Sequence, residues 1–235
     1  MTKKFDTIAF DADDTLWHSE NLYAETQTRL RQLLSGYAAS DQIDQMLHQT
    51  EMRNLPLYGY GIKGFALSMI EAALELSADH IQGHEVRQVL DLARHMLSSE
   101  VQLLDHAAGV VAQLAEDYPL MLITKGDLFD QESKIERSGL KPYFRHIEIV
   151  SDKTLEAYVA LLAKHHLEPA RFLMVGNSLR SDILPVVALG GHAIHIPYHI
   201  TWAHEYVEQT NAAGYKTLEH LGQLPAAIER WDQHA

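Results

Sequence analysis

The chain has 235 residues, 46% of them hydrophobic, which excludes a disordered polymer and allows one substantial core beside a smaller one. Its formal net charge of -13, with no run of lysines or arginines, excludes the footprint of a nucleic-acid polymer or an anionic membrane face, so an anionic substrate needs a local positive site. The absence of cysteine excludes disulfides, thiolate chemistry and zinc-thiolate sites, and leaves oxygen ligands and histidines for any metal.

In chain order, MTKKFDT leads directly into TIAF at 7–10 without the hydrophobic segment of a signal peptide. No apolar stretch approaches the length of a membrane span, and the expectation is a cytoplasmic protein. TIAF has the pattern of a short buried strand. DADDT follows at once and places Asp11, Asp13 and Asp14 side by side, where their repulsion requires a cation among them or a loop open to water. Trp17 and His18, in the link that comes next, read either as closing over a substrate or as filling the hinge, with packing favoured.

More than a hundred residues then separate the first strand from the second, where one crossover helix would suffice. Leu22, Leu30, Leu33 and Leu34, then Ile43, Met46 and Leu47, predict two helices. Ile62, Phe65, Ala66, Met69, Ile70, Ala73 and Leu74 follow the spacing of one apolar helix face, as do Val86, Val89, Leu90, Ala93, Met96 and Leu97. Met52, Met69 and Met96 read as core. NLPLYGYGIKG at 54–64 reads as a long loop in this insertion, with Asn54, Tyr58, Tyr60 and Lys63 as candidates to face a substrate.

The later strands are predicted at LMLIT (120–124), HIEIVS (146–151), RFLMVG (171–176) and HAIHI (192–196), with helix patterns such as Leu155, Tyr158, Val159 and Leu162 between them. From Thr201 the chain reads as helical cover. The fold class is therefore α/β, a doubly wound, Rossmann-like parallel sheet carrying an inserted all-helical cap. The core takes residues 1–19 and 101–235 and the cap 20–100.

Reactive groups in an open parallel sheet gather past the carboxyl ends of the strands. Those positions hold Asp11, Asp13 and Asp14, then Thr124 and Lys125, Asp152 and Lys153, and finally GNSLRSD at 176–182. Acids, a hydroxyl, lysines and an amide together suit magnesium and a phosphate: hard oxygens for the ion, donors for the phosphoryl oxygens. Read singly, Thr124 is equally a helix cap and Lys125 or Lys153 a surface charge, with Asp127 beginning a helix.

The ordered set DADDT, LITKGD, SDK and VGNSLRSD resembles the four motifs of the haloacid dehalogenase superfamily, from about Lys4 to Ile196, and an inserted helical cap is also a feature of that family. The resemblance implies a phosphatase-type hydrolase. Asp11 would be the nucleophile that forms an aspartyl-phosphate, and Asp13 the general acid and then base, its backbone carbonyl also serving the metal. Thr124 and Lys153 would bind and neutralise the phosphoryl group, with Lys125 as a further substrate-binding residue. Asp11, Asp13, Asn177 and Asp182 would form the magnesium site. Asn177 stands where Asp is commoner and removes one negative charge; Asp14 replaces a frequent glycine and reads as a partner of the ligands. The dehalogenases of the family lack an acid two residues after the nucleophile, so Asp13 favours a phosphatase. Cap closure would exclude water. The expected partner is a small phosphorylated metabolite, with no nucleic-acid polymer and no membrane, and oligomeric state open. A catalytically weak binding module, or phosphoryl transfer of the phosphomutase kind, remain alternatives on the same residues.

Overall fold

The uninterrupted run Thr7–Phe10 forms strand β1, all four residues buried. In the computed structural model, which describes residues 3–207 and 214–232, it is followed by four helices, α1 (Glu20–Leu34), α2 (Ser40–Tyr58), α3 (Ile62–Leu76) and α4 (Gly83–Ser98). Helix α5 (Ala107–Asp117) leads into β2 (Leu120–Lys125), and α6 (Leu128–Arg137) into β3 (Phe144–Val150). Next come α7 (Leu155–Lys164), β4 (Phe172–Gly176), a wide turn at Leu179–Ile183, the short α8 (Leu184–Ala188) and β5 (His192–His195). The chain closes with β6 (Tyr215–Thr217) and α9 (Leu224–Asp232).

The six strands are parallel, in the order β3-β2-β1-β4-β5-β6. Alternation along each strand sends side chains to opposite faces. Ile8, Phe10, Leu120, Leu122, Leu173 and Val175 join α5 and α9 through Val110, Val111, Leu114, Ala227 and Ile228. Ala9, Met121, Ile123, Phe172 and Met174 join α7 and α8 through Tyr158, Leu161, Leu162 and Val186. Helices thus cover both faces, as the α/β class requires. The order in which strands are added reverses between β1 and β4, and the crevice beyond their carboxyl ends is where such sheets bind ligands. Among the described residues, no helix is long and apolar enough to cross a membrane.

Two compact units result. The sheet unit takes the described residues up to Glu20, Val101–Lys125 and those from Gln131 onward. The helical unit takes Asn21–Glu100 with Gly126–Asp130. Its own core is built from Leu30, Leu34, Ile43, Leu47, Phe65, Met69, Val89 and Met96.

Three expectations need correction. The stretch 54–64 is not a long loop: α2 runs to Tyr58 and α3 starts at Ile62, so only residues 59–61 lie outside helices. Pro56 falls in the last turn of α2, too late to break it, and the Gly59 N–H still reaches the Leu55 carbonyl at 2.9 Å. Gly59 and Gly61 make the turn at positive φ, 70° and 113°, which disfavours other residues. Second, the strand predicted at 146–151 runs over Phe144–Val150, where it lies at the sheet edge and is only half-buried. Third, the tail after Thr201 is not helical cover alone: β6 extends the sheet, pairing Ala193 with Tyr215. Within the helical unit, Leu90 is exposed and Met52 only half-buried.

Candidate active site

The loop after β1 leaves the sheet at Asp11, whose N–H is bonded to the Val175 carbonyl on β4, so the neighbouring strand fixes where the loop starts. Leu16 N–H returns to the Ala12 carbonyl at 2.8 Å and closes a tight turn around the acids. Asp14 sits at φ 63° in that turn and accepts from the N–H groups of Ser19 and Glu20 at the start of α1. An Asp tolerates this conformation better than most residues and satisfies otherwise orphaned helix donors. Burial pushes the Asp14 carboxyl up to about 8, against those two N–H groups.

The ends of β1, β3 and β4 meet at Asp11. Lys153, in the loop after β3, donates to Asp11 Oδ1 at 2.5 Å and to Asp182 Oδ1 at 2.7 Å, and all three side chains are almost wholly buried. Thr15 Oγ1 donates to Asp11 Oδ2 at 2.8 Å and lies 3.3 Å from Asn177 Oδ1, so the two acceptors flank one hydroxyl. Asp182 Oδ2 accepts from the Ser178 N–H at 3.0 Å. A Cβ at Gly176 would overlap the Asp182 carboxylate, which gives a steric reason for glycine at the end of β4. Thr124 lies buried near the end of β2, paired in register with Ile149.

One ammonium thus faces two buried carboxylates. Burial pushes Asp11 up against the pull of Lys153, with the Asp182 charge adding to the rise. Lys153 is held firmly protonated: its two carboxylates outweigh the cost of its own burial. The uncompensated negative charge, beside the hard oxygens of Asp11 and Asn177, fits a magnesium ion. Among the described residues, no group of three or more His, Asp or Glu side chains could by itself hold a metal ion.

Asp13 is surrounded differently. Its Oδ1 accepts from Trp17 Nε1 at 2.7 Å, its Oδ2 from Gln131 Nε2 at 2.8 Å, and Lys134 Nζ reaches both oxygens at 2.7 Å. Burial works to raise its pKa, but the Lys134 charge and these hydrogen bonds outweigh it and hold the carboxyl below the ordinary value.

Lys125 is committed elsewhere: its Nζ donates to Glu205 at 2.5 Å and Ser181 at 2.9 Å. Glu205 also accepts from Ser178 and Ser181 at 2.6 Å, and despite burial these donors, Lys125 first, hold it at about 2. Asn54 is buried in the helical unit and donates to Ser68 and Glu71. Lys63 pairs with Asp127 at 2.8 Å, and Asp127 accepts from the Asp130 N–H near the start of α6.

Gln131, Lys134 and Glu205 are absent from the sequence-based set. The first two are one turn apart on the helix that leaves β2, a spacing that any solvent-facing pair on a helix shares, so it did not mark them. Glu205 had no signal either, since a lone acid in a polar stretch carries no pattern.

A family model described as a haloacid dehalogenase-like hydrolase matches residues 5–190. A haloacid dehalogenase-like family hydrolase from Xanthomonas campestris is 38% identical, with a TM-score of 0.89 over 99% of this chain and 94% of that one. The HAD-hydrolase YfnB of Bacillus subtilis is 27% identical over 96 residues, a match that spans 38% of this chain and 41% of that protein. Its structure, described as bound to magnesium and revealing interdomain movement, is similar at 18% identity with a TM-score of 0.68, covering 96% of this chain and 99% of that one. An L-2-haloacid dehalogenase from Xanthobacter autotrophicus shares the fold at 16% identity and TM-score 0.67, covering 96% and 98%.

Proposed function

The chain belongs to the haloacid dehalogenase-like hydrolases, and from that premise we propose that it is a magnesium-dependent phosphatase acting on a small phosphomonoester through an aspartyl-phosphate at Asp11. The observation that carries this reading is the pair of acids two residues apart in one loop, Asp11 against Lys153 and Asp13 against Lys134. A dehalogenase needs the first acid alone.

Asp11 attacks phosphorus with the oxygen not engaged by Lys153. The P–O bond to the leaving alcohol breaks, the phosphoryl group stays on Asp11, and a proton from Asp13 goes to the leaving oxygen. Asp13 is ionised while Lys134 holds it; a phosphate dianion arriving beside it adds like charge, which favours its protonation. Asp13 then takes a proton from water as that water attacks phosphorus and frees Asp11. Lys153 keeps Asp11 oriented and offsets charge on the phosphoryl oxygens, the electrostatic part that dominates phosphoryl transfer. Thr124 lends its hydroxyl and N–H to the same oxygens. Asp11, the Asp13 carbonyl and Asn177 would hold magnesium, which would supply further neutralisation of phosphoryl charge. Asp182, already bonded to Lys153 and the Ser178 N–H, steadies that side of the site. Lys125 contributes positive field, with Glu205 tempering it.

The test is phosphate release from a generic aryl phosphate with and without magnesium, run beside halide release from a 2-haloacid. Magnesium-dependent phosphate release with no halide supports the reading. Halide release alone would establish a dehalogenase, and silence on a broad panel of phosphorylated metabolites would leave a binding module.

A further inference from the structure

We propose that Gln131 and Lys134, with Trp17, are positioning residues that lock the Asp13 carboxylate in one orientation for proton transfer at the leaving oxygen. This deepens the phosphatase reading above and rests on it.

An aspartate carboxylate turns easily about its last side-chain bond, so an acid that must meet one oxygen of a substrate needs outside restraint. Here the restraint comes from two directions. Trp17, buried in the same loop, holds Oδ1, and its backbone is bridged both to Asp13 and to Leu103. From α6, Gln131 holds Oδ2 while Lys134 straddles both oxygens.

Gln131 is the telling member. It is only 3% exposed, and its Nε2 is bonded both to Asp13 and to the Lys125 carbonyl at the end of β2. Those two acceptors fix which way the amide points and leave Oε1 buried without a hydrogen-bond partner among the described residues. A buried orphan acceptor is unfavourable, and an apolar side chain of similar size would avoid it. The compensation lies at Asp13. The same amide ties the acid to the end of the strand that presents Thr124, so proton donor and phosphoryl site keep a fixed separation.

Gln131→Met and Lys134→Met are compared with the parent on two esters. An alkyl phosphate expels a basic alkoxide and needs the proton; 2,4-dinitrophenyl phosphate expels a stable phenolate and does not. Both variants are expected to lower kcat on the alkyl ester by about 10- to 100-fold with KM within about threefold, a share of what general acid–base catalysis supplies. The rapid burst of dinitrophenolate, which reports phosphoryl transfer to Asp11, keeps the parent's rate. Lys134→Arg recovers part of the alkyl-ester rate, and in an Asp13→Asn background Lys134→Met has no further effect on it.

Equal losses on the alkyl ester and in the burst, or no loss on either, would overturn the positioning role while leaving the phosphatase reading intact. A parent that releases phosphate from neither ester overturns that reading and this role together. Two independent positions guard against one variant failing to fold.

Discussion

Asp11 and Asp13 share one loop, yet their surroundings push them in opposite directions. Asp11 shares a single ammonium with Asp182, all three side chains almost wholly buried, and burial raises it. Asp13 is a quarter exposed, accepts from Lys134 and from two neutral donors, and is lowered. A lysine neighbour alone therefore does not decide the state of a carboxylate; burial, the neighbouring charges and the hydrogen bonds it accepts decide it together.

Substituting the buried side breaks the comparison most severely. Asp11→Asn is expected to abolish phosphate release, by at least about a thousandfold, measured as single-turnover product formation. Its effect on folding should have the opposite sign: with chelator present, Asn at 11 leaves one ammonium facing one carboxylate, so urea denaturation should find it at least as stable as the parent. Lys153→Met strands two buried carboxylates and should lose about 3–5 kcal/mol in the same titration. Equal destabilisation by the two substitutions would contradict the charge imbalance.

The strand ends were legible because short apolar runs halt where side chains must meet water or ligand, so TIAF and LMLIT point to the residues behind them. Asp11, Lys153 and Asp182 could be picked out from their places in that order. Gln131 and Lys134 were not, because a glutamine and a lysine on an amphipathic helix look like solvent-facing residues until the helix is docked. The end of α2 was misjudged for a related reason: proline and glycine were weighed as breakers, whereas Asn54 is anchored by Ser68 and Glu71 in a helical turn. Strand β6 has three residues and no apolar alternation to announce it.

A finer adjustment sharpens the charge count. Asn177→Asp restores a negative oxygen beside Asp11, and calorimetry should show magnesium binding tightened about tenfold, at some expense to the stability of the metal-free protein. No gain in affinity would remove Asn177 from the donor set.

The smallest effect concerns a third carboxylate. Glu205, held at about 2 against an ordinary 4.5, resembles Asp13 in having a lysine partner and neutral donors. Because its folded pKa is depressed, its contribution to stability is full above about pH 4.5 and is lost as pH falls toward about 2. Glu205→Gln should lower the melting temperature at neutral pH and flatten its decline over that acid interval; an unchanged acid slope would show that the Lys125 pairing does not persist in solution.

The most direct measurement is rapid-quench labelling with an aryl ester carrying radioactive phosphorus. The account predicts a hydroxylamine-labile label on the peptide containing Asp11, formed only with magnesium and missing from Asp11→Asn. Turnover of the ester with no label at Asp11, or labelling undiminished by the substitution, would contradict it.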